Sequence, residues 1–444
     1  MARDRPRGSP GRCAACLRLQ LRLPRATVKA AGALLLLLAC TTVQAQEAPA
    51  QTVREIAFEG NDTTQPRTLL RELPIAVGDP ADAAQVERSR QAIQDLGLFK
   101  TVSVREEPVE GGVRLVFKVR ERWYILPTPR VDAKAGGEYS YGAQLQWNNL
   151  WGLDHTLRVI WEREDTNEAG VGLQTNHAFS YSAPQVFDSR YSVGVSASEV
   201  VKPTDLAGGG SYEETLQSLS LGVSRSLSDS GPPSQGWSAG AGLGWLNQET
   251  DGPGAPPAYG SATAPFATLS YRDLHLHIYS EEGVSFRSSL QGAVDGLASD
   301  YGFLTYNGRY ARYMHVGATD HQTLHLIAEL GARIDGPPEN DAYFLGGDSL
   351  LRGYDKEFVE GDAVYRVSAE FARPLHWRWL RWVLIAEAGN AFERPQDFSL
   401  SRIYTSVGAG LRLRLSWFVN VEIEAGVAIP VGDSGGTRFF AGGV

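Results

Sequence analysis

From Trp123 onward the chain is written in alternation. Leu324, Leu326, Ala328, Leu330, Ala332 and Ile334 alternate with Thr323, His325, Glu329 and Arg333. Ile403, Thr405, Val407, Ala409, Leu411, Leu413 and Leu415 alternate with Tyr404, Ser406, Arg412 and Arg414, and Val419, Val421, Ile423 and Ala425 with Asn420, Glu422 and Glu424. A period of two is that of a β-strand with one apolar and one polar face. Glycine, proline, aspartate and asparagine clusters separate such stretches, each of about 10 to 15 residues. The pattern predicts sixteen strands, beginning near 123, 137, 154, 170, 189, 212, 235, 262, 283, 301, 321, 362, 380, 402, 417 and 436. An even count returns the C-terminus to the side where the first strand began. The connections then fall into two classes: mostly short ones on one side (150–153, 376–378, 416) and mostly longer ones on the other (201–211, 249–261, 335–361, 393–401).

Residues 52–122 follow a different pattern, β-α-α-β-β. A strand from Val53 to Phe58 ends at Gly60-Asn61, and Leu69, Leu70 and Leu73 give a short helix an apolar face. Asp79-Pro80 is expected to start a second helix, with Val86, Ile93 and Leu96 on one side and Gly97 as its stop. Strands over 101–106 and 113–119 turn at Gly111-Gly112.

Before this domain, residues 30–39 form the longest apolar run, too short to cross a bilayer as a helix. Eight basic residues against Asp4 precede it and Val43-Gln44-Ala45 follows it, so residues 1–45 read as a signal peptide cleaved after Ala45. Leu37-Leu38-Ala39-Cys40 is a rival, lipoprotein-like cut, disfavoured by the leucine two before the cysteine. All three cysteines (Cys13, Cys16, Cys40) lie in this leader, where Cys13-x-x-Cys16 reads as two incidental thiols rather than a redox or metal pair. The remaining chain is then cysteine-free, as suits an oxidising compartment. A soluble sandwich shares the alternation of the long C-terminal part. The leader, the strand lengths and the aromatics assigned to strand ends (Trp123, Trp147, Trp151, Trp237, Trp245, Trp382, Trp417) favour a transmembrane β-barrel instead.

Charge and motifs narrow the function. From residue 46 the chain carries 34 basic against 50 acidic residues, which disfavours a nucleic-acid partner. Gly236-Trp237-Ser238-Ala239-Gly240 fits G-x-S-x-G, but a nucleophile elbow needs a strand-to-helix turn and the next residues continue a strand. An esterase using Ser238 is therefore a minor alternative, and no enzyme activity is expected. His275-x-His277 and His321-x-x-x-His325 could each present two imidazoles on one side of a strand. No Cys/Asp/Glu set accompanies them, so they are read as turn and lumen residues, and neither metal nor cofactor is expected. Gly208-Gly209-Gly210 lacks the Lys-Ser/Thr of a phosphate loop.

One stretch combines a long polar loop with aligned acids. The loop at 335–361 contains Leu351-Arg352-Gly353-Tyr354. In the two strands that follow, alternation puts Tyr365, Val367, Ala369 and Phe371 toward lipid and Arg366, Ser368 and Glu370 toward the lumen. It likewise puts Trp382, Leu384, Ala386 and Ala388 outward and Val383, Ile385, Glu387 and Gly389 inward. Both Glu370 and Glu387 point where an infolded Arg352 could reach them, and a guanidinium held between carboxylates would be oriented and partly desolvated. The same residues also fit an exposed loop arginine with surface ion pairs of little consequence.

Several of these stretches carry a family resemblance. Phe58-Glu59-Gly60-Asn61, Gly78-Asp79 and Leu98-Phe99-Lys100-Thr101-Val102 resemble a POTRA domain, a periplasmic module that binds extended chains by strand addition. An inert spacer fits the same residues. Asn149-Leu150-Trp151-Gly152, Leu345-Gly346-Gly347 and Leu351-Arg352-Gly353-Tyr354, with Glu370, resemble the BamA/TamA-type outer-membrane assembly and secretion barrels of the bacterial surface antigen family. The stretch from Ile385 to Phe392 resembles that family's F-x-D-x-G strand motif, from which Ile385 and Glu387 depart. The resemblance implies a bacterial outer-membrane barrel of about sixteen antiparallel strands over 123–444, preceded by one periplasmic POTRA domain over 52–122. Its partners would be membrane lipid and client outer-membrane or secreted polypeptides, with periplasmic or lipoprotein partners left open. It further implies that the loop plugs the lumen, that Arg352 meets Glu387, that Gly353 permits close backbone approach, and that Tyr354 packs on the wall. The barrel would insert or export clients by opening between its first and last strands. The last, 436–444, is short and glycine-rich and lacks a terminal aromatic. A single periplasmic domain suggests a dedicated or accessory role. The alternative is a passive channel or surface protein with a degenerate loop latch.

Overall fold

A computed structural model describes residues 51–133, 139–165, 173–206, 210–229, 231–336, 343–347, 351–432 and 436–443. The leader with its cysteines and cleavage sites, and Gly208-Gly209, lie outside these residues.

The N-terminal domain runs β1 (Val53–Glu59), α1 (Pro66–Leu70), α2 (Ala83–Asp95), β2 (Phe99–Val109) and β3 (Gly112–Glu121). Its sheet has the order β1-β3-β2, with β1 parallel and β2 antiparallel to β3. Val53, Leu69, Ile93, Phe99, Leu115 and Phe117 fill the core between sheet and helices. Two details differ from expectation. The second helix starts three residues later than Asp79-Pro80 suggests. Its cap is Asp82, whose carboxylate accepts the Gln85 N–H at 3.1 Å. Asp79 is engaged in its own turn, accepting from Ala76 N–H at 2.9 Å, while Pro80 bridges to Thr52. Leu70 points outward, because adjacent helical residues lie about 100° apart and Leu69 already holds the sheet side.

The remaining strands are β4 (Ile125–Ala133), β5 (Tyr139–Leu150), β6 (His155–Glu164), β7 (Gln174–Ala183), β8 (Tyr191–Asp205), β9 (Ser211–Ser226), β10 (Gly236–Asp251), β11 (Gly260–Leu276), β12 (Glu281–Ala293), β13 (Phe303–His315), β14 (Thr323–Asp335), β15 (Tyr343–Leu345), β16 (Val359–Gly361), β17 (Ala363–Pro374), β18 (Leu380–Phe392), β19 (Tyr404–Arg414), β20 (Glu422–Pro430) and β21 (Arg438–Gly443). Sixteen of them form one antiparallel sheet in chain order, from β4 to β21. The short hairpin β15–β16 stands apart, inside the loop between β14 and β17. Leucines and valines such as Leu219, Leu243, Leu330, Val367, Leu384 and Leu411 stand exposed on the outer face, where charged groups line the inner one. Only a lipid surround makes such a belt favourable. Among the described residues no helix is long and apolar enough to cross a membrane.

The strand starts lie close to their predicted positions, with local corrections. Strands β8 to β11 are long, so much of 201–211 and 249–261 is strand rather than loop. Trp245 is inside β10, opposite Leu219 and Thr263, not at a strand end. Strand β20 starts at Glu422, and Val419 sits in the preceding turn, buried in the core of the N-terminal domain.

That burial is part of a docked interface between the domain and the nearby turns. The Gly152 carbonyl accepts from Gln65 N–H (2.9 Å) and Thr68 Oγ1 (2.8 Å), and Asn149 Nδ2 donates to Thr64 Oγ1 (2.8 Å). Gly152 is required here: its φ is +73° and a Cβ would lie 2.1 Å from the Thr63 carbonyl oxygen. Asp95 accepts from Leu276 N–H at 2.8 Å and pairs with His275 Nδ1 at 2.9 Å. His275 therefore belongs to this interface, not to a free turn or the lumen. Glu72, fully buried, accepts from Ser234 Oγ at 2.7 Å.

The two sheet edges, β4 and β21, are not joined by a strand ladder among the described residues. On the N-terminal domain's side the seam between them is fastened. Trp123 N–H donates to the Trp417 carbonyl (2.7 Å), and its ring meets Phe418 edge-on at 5.8 Å.

Candidate functional site

The loop between β14 and β17 folds back because its ends pair and its middle turns tightly. Strands β15 and β16 close it like a hairpin. Gly346 has φ +114°, and a Cβ there would stand 1.9 Å from the Asp355 carbonyl oxygen. Tyr354 N–H donates to the Leu351 carbonyl at 3.0 Å and Gly347 N–H to the Tyr354 carbonyl at 3.2 Å. Leu351 takes the left-handed conformation, φ 62°, while fully buried, a strained arrangement that only dense surroundings hold.

This fold carries Arg352 to the inner wall, where it is 7% exposed. Its Nη1 donates to Glu387 Oε1 at 3.0 Å and its Nη2 to Glu370 Oε1 at 2.9 Å. Its backbone N–H donates to the other oxygen of Glu387 at 2.7 Å. Glu387 is thus gripped by both main chain and side chain of one residue, and Ser406 Oγ adds a third donor at 3.2 Å. The guanidinium also lies over the Phe440 ring of β21, 5.4 Å from its centroid. Gly353 lies against β19 and β20 so closely that a Cβ would be 2.7 Å from Ile429 C and Ser406 Cβ. Tyr354 is buried, donates to the Thr405 carbonyl at 3.2 Å, packs at a tilt on Phe358 and meets Tyr404 edge-on. All five residues singled out in the sequence thus come together.

The structure adds groups that the sequence did not single out. Arg412 pairs with Glu370 and Glu424, Arg366 with Glu329 and Glu387, and Arg381 and Arg414 with Glu422. All of these side chains but Glu387 line a lumen cavity of about 490 Å³. Alternation had already placed most of them on the polar face. Register was the missing information: it sets Arg412 opposite Glu424, Arg414 opposite Glu422 and Arg366 opposite Glu329. Buried carboxylates in such a wall are tolerable only when paired. The arrangement offers opposed charges that hold a loop.

The other candidates have structural partners. Ser238 lies in β10 between Ser226 and Ser270, its Oγ 2.7 Å from Ser270 Oγ, and the strand continues to Asp251 without an elbow. His321 Nδ1 is 2.8 Å from Ser280 Oγ, and His325 packs edge-on against Tyr313 at 4.8 Å.

Comparison with known proteins agrees with this architecture. Residues 149–440 match the Omp85 superfamily domain, and residues 51–122 match the POTRA model described as surface antigen variable number repeat. The outer membrane protein assembly factor BamA of Neorickettsia risticii is 25% identical over 189 residues, or 39% of this chain. The match spans 24% of that relative's length. The crystal structure of Haemophilus ducreyi BamA lacking POTRA domains 1–3 aligns with TM-score 0.50 at 17% identity, covering 88% of this chain and 82% of that one. CdiB from Acinetobacter baumannii aligns with TM-score 0.58 at 16% identity, covering 89% and 73%. The chain belongs to the Omp85 superfamily of bacterial outer-membrane proteins, with its sixteen-stranded barrel in the outer membrane and its single described POTRA domain in the periplasm.

Proposed function

We propose that this protein is an outer-membrane assembly or translocation barrel that inserts or exports client polypeptides, and that Arg352 latches its plug loop. The observation that carries the reading is the double grip on Glu387, made within a barrel whose β4 and β21 edges share no ladder among the described residues. A seam without a ladder exposes backbone donors and acceptors to which another strand can add. The loop, seated against β17 to β20 and over Phe440 of the last strand, is placed to hold that seam in one arrangement. Glu370 and Glu387 position the guanidinium, Gly353 lets the backbone approach, and Tyr354 fills the wall beside it.

Arg352→Ala in a strain depleted of the native protein tests the reading. Loss of client assembly, with the POTRA domain still folded, is the expected result; wild-type growth and client levels would sink the latch. Planar-bilayer conductance separates the passive-channel alternative, which requires a large, steady, substrate-independent pore.

A further inference from the structure

Two consecutive residues of the plug loop hold opposite sides of the seam. Asp355 pairs with Arg438, the first residue of β21. Lys356 Nζ reaches Glu164 Oε1, at the extracellular end of β6, at 2.9 Å. Glu164 stands opposite Ser140 of β5, and β5 in turn pairs with the edge strand β4. The peptide joining Asp355 to Lys356 therefore spans from the last strand to β6, two strands in from the β4 edge, across a seam that has no backbone ladder among the described residues. At the periplasmic end the same seam is closed by Trp123 on Trp417 and Phe418.

We propose that Asp355 and Lys356 form an electrostatic strap that keeps the extracellular half of the seam closed, so that the seam opens from the outside when these pairs are released. This rests on the reading of the seam as the opening route. The chemistry suits a reversible fastening. Both pairs are solvent-exposed, so each is weak and screened by salt, and neither leaves a buried charge when broken. Arg352, in contrast, is buried among its acids. The buried contact fixes where the loop sits, and the exposed pair at its tip sets how readily the seam parts. Glu357 lies 3.5 Å from Lys356 and offers the lysine an alternative partner once Glu164 lets go.

The test is a distance measurement on the full chain in lipid nanodiscs, with Cys13, Cys16 and Cys40 replaced by serine. Spin labels are placed on Val131→Cys in β4 and Phe439→Cys in β21, both exposed and in the extracellular halves of their strands. In low salt, Asp355→Asn with Lys356→Gln should raise the long-distance population roughly two- to thirtyfold, the range that two surface pairs command. Molar salt should produce the same broadening in the unmodified loop and little more in the double variant. The charge swaps Lys356→Glu with Glu164→Lys, and Asp355→Arg with Arg438→Asp, should restore the short distance. An unchanged distribution in the double variant, or swaps that fail to restore it, overturns the strap. Client assembly measured in parallel keeps the two readings apart: a seam that opens without any change in assembly would count against the seam route and leave the strap standing.

Discussion

Glu387→Asp is the most informative single change in this protein. The F-x-D-x-G motif that this strand resembles has aspartate where this chain has Glu387, so the substitution brings the strand closer to that motif. The geometry nevertheless predicts a loss. Removing one methylene withdraws the carboxylate by about 1.5 Å, one carbon–carbon bond. The contacts to Arg352 N–H at 2.7 Å and Nη1 at 3.0 Å would then open to about 4 Å, beyond hydrogen-bonding range. The loop cannot advance to follow, because Gly353 already lies against Ile429 and Ser406 with no room even for a methyl group. Hydrogen bonds to charged groups contribute about 1.5–3 kcal/mol each. Arg366 and Ser406 remain to pair the shortened acid, so a net cost of about 2–4 kcal/mol to the seated loop is reasonable, or roughly 30- to 1000-fold in its opening equilibrium. Hydrogen exchange of the Arg352 and Tyr354 amides reads that equilibrium directly. Exchange within about threefold of wild type would show that the grip on Glu387 does not hold the loop, and would refute the argument.

Three further outcomes follow from the same geometry. Gly353→Ala should accelerate exchange of the same amides while the Glu370–Arg412 pair persists, because a Cβ would meet Ile429 C at 2.7 Å; unaltered exchange would mean that close approach is not needed. Gly152→Val, which combines a left-handed φ with a clash against the Thr63 carbonyl, should undock the POTRA domain; faster limited proteolysis near residue 122 with a barrel of unchanged heat-modifiability is expected. Burial raises the Glu72 carboxyl above its ordinary 4.5, outweighing the lowering by the two Ser234 hydrogen bonds. The docked state then binds the proton more tightly than the undocked one, so docking is strongest below the ordinary value and weakens as pH rises through the raised one. Protease resistance of α1 followed across pH should show that decline, and Glu72→Gln should flatten it.

What the chain states locally and what it leaves to long-range pairing divide cleanly. A strand's side chains alternate whatever its neighbours do, so the strand count and the inward placement of Glu370, Glu387, Arg412 and Glu424 are legible from periodicity. The POTRA element order is legible for the same reason, since turn glycines and helical spacing act over a few residues. Helix caps are less legible: Asp79 reads as the cap of the second helix, and only the local hydrogen bonds show that Asp82 takes that role while Asp79 closes its own turn. Register is not local. It depends on stagger accumulated across many strands, and it alone decides that Arg412 faces Glu424 and that Arg366 shares Glu387 with the loop. Docking is likewise a tertiary outcome, in which Val419 and His275 leave the roles their strands suggest and join the POTRA interface. The residues around Arg352 thus carry their direction in the sequence. Their meeting was decided by the fold, because only chain segments brought together from residues 352 to 440 supply the partners that make a buried arginine tolerable.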